Sequence, residues 1–254
     1  MNHDGLHAGY YGQPALWDRS PSPVVAARVE ATCRAIPEGV RTVLDVGCGD
    51  GLIAHALADR CRVTALDLSV EALRRVRCPR VCGSCDAIPL SAPFDAVVCA
   101  EVLEHLAPGI FEAALQEIAR VAREWVIIGV PAAEPLEQGL LRCSHCDCLF
   151  HLHYHQRAFA ADDLAGLLPG SVLTDLVAVA PCRRPPRWVH RLRLRLRATA
   201  AYDSAALCPR CGGRPAPPRR GLRHHCLSLL ARVSARLRPQ EARWFVARYR
   251  RAQP

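Results

Sequence analysis

Val43-Leu44-Asp45-Val46-Gly47-Cys48-Gly49-Asp50-Gly51 is an apolar strand that runs into a glycine-rich turn, and the acidic Asp67 closes the next apolar stretch sixteen residues after Gly51. Val43, Leu44 and Val46 suit a strand buried on both faces of a parallel sheet. Gly47, Gly49 and Gly51 remove side chains that would hold a ligand off the backbone, and they permit positive φ at the turn. Residues 52–60 then read as a helix that offers its amide end to whatever the turn holds. Such a strand, turn and helix form a ligand site at the carboxyl edge of an α/β sheet.

Dinucleotide-binding folds rest on the same physics, so spacing has to discriminate between them. The glycines here are spaced GxGxG and not GxGxxG, Asp45 lies inside the strand, and the chain contains no lysine to meet a phosphate. Three further stretches follow in order: Val63-Thr-Ala-Leu-Asp67, Gly83-Ser-Cys-Asp-Ala-Ile-Pro-Leu90, and Phe94-Asp-Ala-Val-Val-Cys-Ala-Glu101. On these four motifs the sequence resembles the class I S-adenosylmethionine-dependent methyltransferases. The resemblance implies a Rossmann-like, seven-stranded, mostly parallel sheet with helices on both faces. It also implies S-adenosylmethionine as cofactor. Asp45 and the backbone of Gly47, Cys48 and Gly49 would hold its amino acid end, and Asp67, beside Leu68, its ribose hydroxyls. Asp86 and Ala87 would meet the adenine, and Glu101 would stand at the end of the fourth strand, near the transferable methyl.

A chain of 254 residues, half of them hydrophobic, can bury one substantial core with a small appendage. No apolar run approaches a membrane span, and the N-terminus lacks a basic region followed by an apolar stretch, so a cytoplasmic location is expected. With no secretory signal, the fourteen cysteines are expected as thiols, and Cys48, Cys61 and Cys99 read as small core residues. The net charge of +9 conceals a split. Residues 1–180 hold 14 Arg against 22 acidic residues, whereas residues 181–254 hold 19 Arg against Asp203 and Glu241 alone. The asymmetry points either to an anionic partner, RNA or a membrane surface, or to composition drift alone.

Residues 1–24, with Tyr10, Tyr11 and Trp17, read as an irregular lead-in able to fold over a ligand. Apolar spacing predicts helices over 23–35, 51–60, 69–76 and 108–122, alternating with strands over 41–46, 62–67, 80–82, 94–100 and 125–130. Such alternation builds a parallel sheet with right-handed crossovers. A methyltransferase domain is expected over 25–180, closing with a helix over 159–168 and a strand over 171–180, and interrupted by a Cys- and His-rich insertion at 138–157. The extension 181–254 reads as an arginine-rich hinge, a second CxxC and a basic helical tail from 223 to about 251. Leu227, Leu230, Val233 and Leu237 would lie near one face of it.

Cys143 and Cys146 form one CxxC and Cys208 and Cys211 another, and two such turns make a tetrahedral four-thiolate zinc site. The rival readings are a local site of Cys146 or Cys148 with His151 or His155, and thiols that bind nothing. The stretch Cys99-Ala-Glu-Val-Leu-Glu-His-Leu106 sits at the mouth of the fourth strand. Its wording is common to small-molecule methyltransferases of the ubiquinone-biosynthesis type. By resemblance to branches of that family, Glu101, Glu104 and His105 would hold magnesium or manganese, with a histidine from 151–155 as a further ligand; the alternative is that they cap and orient the following helix. His105 is the first candidate base, followed by His153 and His155. Tyr154, Gln156 and Arg157 are candidates for the acceptor pocket. The expected acceptor is a small-molecule hydroxyl, on a quinone-like or lipid-linked sugar metabolite. The rivals are an RNA 2′-O-methyltransferase and a non-catalytic cofactor- and zinc-binding scaffold.

Overall fold

Every residue of β1 (Thr42–Val46) after the first is buried, as an apolar strand with a neighbour on each side requires. The computed structural model describes residues 9–18, 20–198, 202–217 and 221–252. Ahead of β1 come α1 (Pro14–Trp17) and α2 (Pro23–Ala35), the latter started by Pro23 and by the Ser22 hydroxyl, which accepts from the Val25 amide. After β1 the chain runs through α3 (Leu52–Leu57), β2 (Arg62–Asp67), α4 (Val70–Leu73), β3 (Arg80–Cys82) and β4 (Phe94–Ala100). It then crosses by α5 (Pro108–Val121) to β5 (Ala122–Pro131). These five strands pair in parallel in the order β3-β2-β1-β4-β5.

Past β5 a small antiparallel hairpin, β6 (Leu140–Arg142) with β7 (Leu149–His151), stands outside the main sheet. The chain returns through β8 (Ser171–Cys182), α6 (Arg187–Arg195) and α7 (Leu222–Arg236) to β9 (Glu241–Arg251). β9 inserts between β5 and β8, antiparallel to both, and completes the seven strands. Apolar side chains cover both faces. Leu44, Val97, Ile118 and Ile128 fill one core, while Val43, Leu57, Val98 and Ile127 fill the other.

The expected helical tail ends early. It is helical to Arg236, but its last eleven residues form β9, so the sheet does not end at residue 180. Alternation explains it: Trp244 and Val246 enter one core, and Phe245, Ala247 and Tyr249 pack on the other. In α7 the buried positions are Leu227 and Ala231, while Val233, and Leu237 just past its end, are exposed. The helix expected over 159–168 is reduced to one 3₁₀ turn at Asp162–Leu164. Its Leu164 carbonyl accepts the Tyr249 hydroxyl at 2.7 Å, a partner from β9 in place of the next helical turn. The helices after β1 and β2 are shorter than expected, six and four residues.

Tyr249 is fully buried, so its hydroxyl has no water to turn to. Tyr249→Phe should cost about 1–2 kcal/mol and a few degrees of melting temperature. Removal of residues 241–254 should abolish cooperative thermal unfolding, since it splits β5 from β8. A truncated protein that melts like the full chain would contradict the central placement of β9.

Candidate functional site

A cavity of about 950 Å³ opens along the carboxyl edge of β1, β2, β4 and β5. Gly47 at φ 68° leaves no room for a side chain, because a Cβ there would lie 2.2 Å from Val102. Gly49 at φ 55° receives the Trp17 ring, which an added Cβ would meet at 2.9 Å. The lead-in therefore lies over the turn. The Tyr11 carbonyl accepts the Ser69 hydroxyl and the Trp17 indole N–H at 2.8 and 2.9 Å, and Tyr10, Tyr11 and Trp17 all line the cavity.

Asp67 ends β2 with one carboxylate oxygen accepting the Gly49 amide at 2.8 Å and the other the Ser69 amide at 2.7 Å. Each oxygen keeps a lone pair for a further donor. Asp45 is buried, and one of its oxygens has no hydrogen-bond partner among the described residues. Burial, and after it the charge on Asp67, pushes its carboxyl up to about 7. Gly47, Cys48, Gly49, Leu68 and Glu101 also line the cavity. Asp86 and Ala87 do not. Asp86 accepts the Ser84 hydroxyl, and Gly83 and Cys85 take the places on the wall.

Glu101 adopts φ 59°, a strained conformation, at the mouth of β4. Its carboxylate accepts the Trp244 indole N–H at 2.9 Å and pairs with Arg28 at 3.1 Å. It does not group with Glu104 and His105 as expected. Glu104 and His105 instead meet His155, with ligating atoms within 4.8 Å of one another. Glu104 is 1% exposed, and neither of its carboxylate oxygens has a hydrogen-bond partner among the described residues. Burial pushes it up to about 8.

His155 reaches this place because its loop is stitched to the turn after β4. The Gln156 amide donates to the Glu104 carbonyl at 2.8 Å, the Gln156 side chain to the His105 carbonyl at 2.7 Å, and Arg157 to the Leu106 carbonyl at 2.7 Å. Gln156 and Arg157 are thus structural clamps outside the large cavity, and Tyr154 faces the Leu207 backbone with its hydroxyl. Glu134, just past β5, holds His155 Nδ1 at 2.5 Å. Against the effect of burial, that hydrogen bond keeps Glu134 below the usual carboxylate range. Because the carboxylate accepts, His155 Nδ1 is the donor of this pair. His151 Nδ1 accepts the amides of His153 and His155 at 3.3 and 3.2 Å, which orders the loop, and burial lowers this histidine to about 4. His105, His153 and His155 all line the cavity.

The two CxxC pairs come together from distant parts of the chain. Cys143 and Cys211 sulfurs lie 3.6 Å apart, Cys146 and Cys208 sulfurs 3.5 Å apart, and all four form one cluster. Cys148 stands outside it. Against burial, the amides of His145 and Cys146 draw the Cys143 thiol down to about 7. Tyr10, Phe150, Tyr154 and Ala206 pack around the cluster, and the Gln13 side chain donates to the Ala205 carbonyl at 2.8 Å, so this module also carries the lead-in.

Residues 43–124 match the sequence family described as a methyltransferase domain. Over that stretch, about a third of the chain, the sequence is similar to a methyltransferase domain, and the whole has the Rossmann-like fold of such enzymes. A ubiquinone biosynthesis O-methyltransferase of Idiomarina loihiensis is 30% identical over 164 residues, 54% of this chain and 63% of that protein. Another, from Xylella fastidiosa, is 36% identical over 91 residues, 31% of this chain and 37% of that protein. The chain spans less than two thirds of the length of these curated relatives. Among solved structures, 1,6-didemethyltoxoflavin-N1-methyltransferase of Burkholderia thailandensis, with 1,6-didemethyltoxoflavin and S-adenosylhomocysteine bound, shares the fold at TM-score 0.55 and 18% identity. The match covers 99% of this chain and 87% of that one.

Arg28, Glu134 and Trp244 were not legible as site residues in the sequence. Glu134 carried one signal, an acid just past a strand on the ligand edge. The buried Asp45 gives a pH test. Its folded pKa of about 7 exceeds the unfolded value near 4, so it costs stability increasingly from pH ~4 to ~7 and fully above that. Asp45→Asn should raise the melting temperature of the ligand-free protein by several degrees at pH 8 and little at pH 4. An unchanged or lower value at pH 8 would refute the assignment.

Proposed function

We propose that this protein transfers the methyl group of S-adenosylmethionine to a hydroxyl of a small-molecule acceptor, at a site that also holds a divalent cation. The observation that carries the reading is Glu104: a buried carboxylate whose oxygens have no hydrogen-bond partner among the described residues, 3.8 Å from His105 Nε2 and grouped with His105 and His155 beside the cavity that the glycine turn and Asp67 enter. Such a group is costly unless protonated or bound to a cation. Glu104, His105 and His155 Nε2 fit magnesium or manganese, and Glu134 fits the outer carboxylate that fixes a ligating histidine. The ion, when bound, would bind the acceptor oxygen and lower its pKa. At the other end of the cavity Asp67 takes the ribose hydroxyls, and Asp45 with the Gly47–Gly49 backbone takes the amino acid end. His153, which burial and then His155 hold below the usual histidine range, is left to accept the hydroxyl proton.

Cys143, Cys146, Cys208 and Cys211 are proposed to bind a structural zinc. Their sulfur separations are near the ~3.8 Å edge of a tetrahedron with Zn–S bonds of ~2.3 Å. The RNA reading is less well supported, because many tail arginines are occupied within the chain. Arg187 and Arg191 pair with Glu137, Arg248 with Asp175 and Arg250 with Glu124.

Asp67→Ala should weaken S-adenosylhomocysteine binding at least tenfold by calorimetry; unimpaired binding would sink the cofactor assignment. One Mn²⁺ per chain should bind, at least tenfold more weakly in Glu104→Gln and His155→Ala and about 10–100-fold more weakly in Glu134→Gln. Equal Mn²⁺ binding by Glu104→Gln would remove the cation from the reading. The purified protein should contain about one zinc per chain, lost in the Cys208→Ser, Cys211→Ser double variant. Zinc retained in that variant would refute the four-cysteine site.

A further inference from the structure

The charges along the cavity are not mixed evenly. Asp45, Asp50 and Asp67 stand at the ends of β1 and β2, while Arg183, Arg184 and Arg243 stand at the ends of β8 and β9. Both arms of the sheet deliver these groups to the same edge. β8 runs parallel to β5, and Pro131 at the end of β5 is paired with Trp244, next to Arg243, while Cys182 at the end of β8 is paired with Glu241.

Strand spacing separates the two ends. At about 4.8 Å per strand, Arg243 on β9 lies about 14 Å from β1 and about 19 Å from β2, and Arg183 lies one strand further out. The cofactor site proposed above is on β1, β2 and β4. The arginines therefore face the part of the cavity beyond Glu134 and His155, about one or two strand spacings from the ends of β5.

These cations are not neutralised by their neighbours. Glu101 is engaged by Arg28 and the Trp244 indole, and Glu134 by His155. Arg184 shares Glu241 with Arg238, at 3.4 and 3.1 Å. Arg183 donates only to the carbonyls of Arg236 and Arg238, both at 2.7 Å, and neither it nor Arg243 has a carboxylate partner among the described residues. The Arg243 guanidinium lies 5.7 Å from the Trp244 ring. A basic wall with one shared acid, its arginines lining the cavity where it meets solvent, is suited to an anionic group.

We propose that Arg183 and Arg243, supported by Arg184, form a subsite for a carboxylate or phosphate on the methyl acceptor, so that the substrate is a hydroxylated acid. This rests on the reading of the cavity as a methyltransferase site. The strands that carry Arg243 and Arg183 stand two and three spacings, about 10 and 14 Å, from β4, which Glu104 follows, so the anion sits across a substituted ring from the reacting hydroxyl. Two guanidinium groups on one wall select the charged acceptor and anchor its far end, which places the hydroxyl at His153 and Glu104.

The test uses the full chain saturated with S-adenosylhomocysteine, titrated by calorimetry with 3,4-dihydroxybenzoate, with phenyl phosphate, and with the uncharged 3,4-dihydroxybenzamide. The benzoate should bind at least tenfold more tightly than the amide. An Arg183→Gln, Arg243→Gln double variant should bring the acid down to the affinity of the amide without changing S-adenosylhomocysteine binding. Both positions are exposed, and the buried Arg184 is left in place so that the variant folds. Equal affinities in the native chain, a preference that survives the double substitution, or no binding of either acid at millimolar concentration would overturn the subsite. Phenyl phosphate binding more tightly than the benzoate would assign the anion as a phosphate, and the reverse order as a carboxylate. Failure of S-adenosylhomocysteine to bind at the outset would instead sink the underlying methyltransferase reading, and the same acid and amide titrations of the unliganded chain would still decide the subsite.

Discussion

The pairing of β9 between β5 and β8 is the constraint on which the rest of the structure depends. A strand that enters from the far end of the chain must bring its leading residues back to the carboxyl edge of the sheet, where the cavity lies. It thereby sets Trp244 against Glu101 and Arg243 on the cavity wall, and its Tyr249 ties down the turn at Leu164. The excursion from β8 to β9 also has to pass over that edge. Its second cysteine pair meets the first there, and the antiparallel insertion exposes no new sheet edge.

Polar groups that weaken the apo fold are concentrated where a ligand would compensate. Asp45 and Glu104 are both buried with oxygens that have no hydrogen-bond partner among the described residues, and three non-glycine residues, Glu101, Ala133 and Tyr154, adopt left-handed conformations past the strands and in the histidine loop. Each such conformation costs of order 1–3 kcal/mol and persists only where its surroundings over-determine it. Here the clamps are identifiable: the Trp244 and Arg28 contacts for Glu101, the Phe159 carbonyl accepting the Ala133 amide, and the Leu207 backbone for Tyr154. All three lie just beyond strand ends, in the loops that also carry the candidate site residues.

The cysteine module and the histidine loop are continuous in sequence, and the structure uses that continuity. β6 and β7 hold the first knuckle, His151 ends β7, and its ring accepts the amides that shape the turn to His155. The same module packs Tyr10 and bonds Gln13, so the segment over the glycine turn and the loop bearing His155 share one support. A metal bound by the four thiolates would therefore stiffen both sides of the cavity without touching the reacting atoms.

The nine residues from Val43 to Gly51, with Asp67, determined the local chemistry of the cofactor edge by themselves, because strand burial, glycine φ and the place of an acid at a strand end are set within a few residues. The alternating pattern that follows likewise determined five parallel strands, and CxxC spacing determined which thiols share a turn. Tertiary structure decided the rest. Whether Glu101 or His155 joins Glu104 and His105 depends on a loop clamped by Gln156 and Arg157 fifty residues away, and Asp86 differs from Gly83 and Cys85 only in which way a short turn faces. The last eleven residues look like a basic helical tail in one dimension because arginine masks their alternation. They become a central strand because only there can Trp244, Val246, Ala247 and Tyr249 all be buried, two on each face of the sheet.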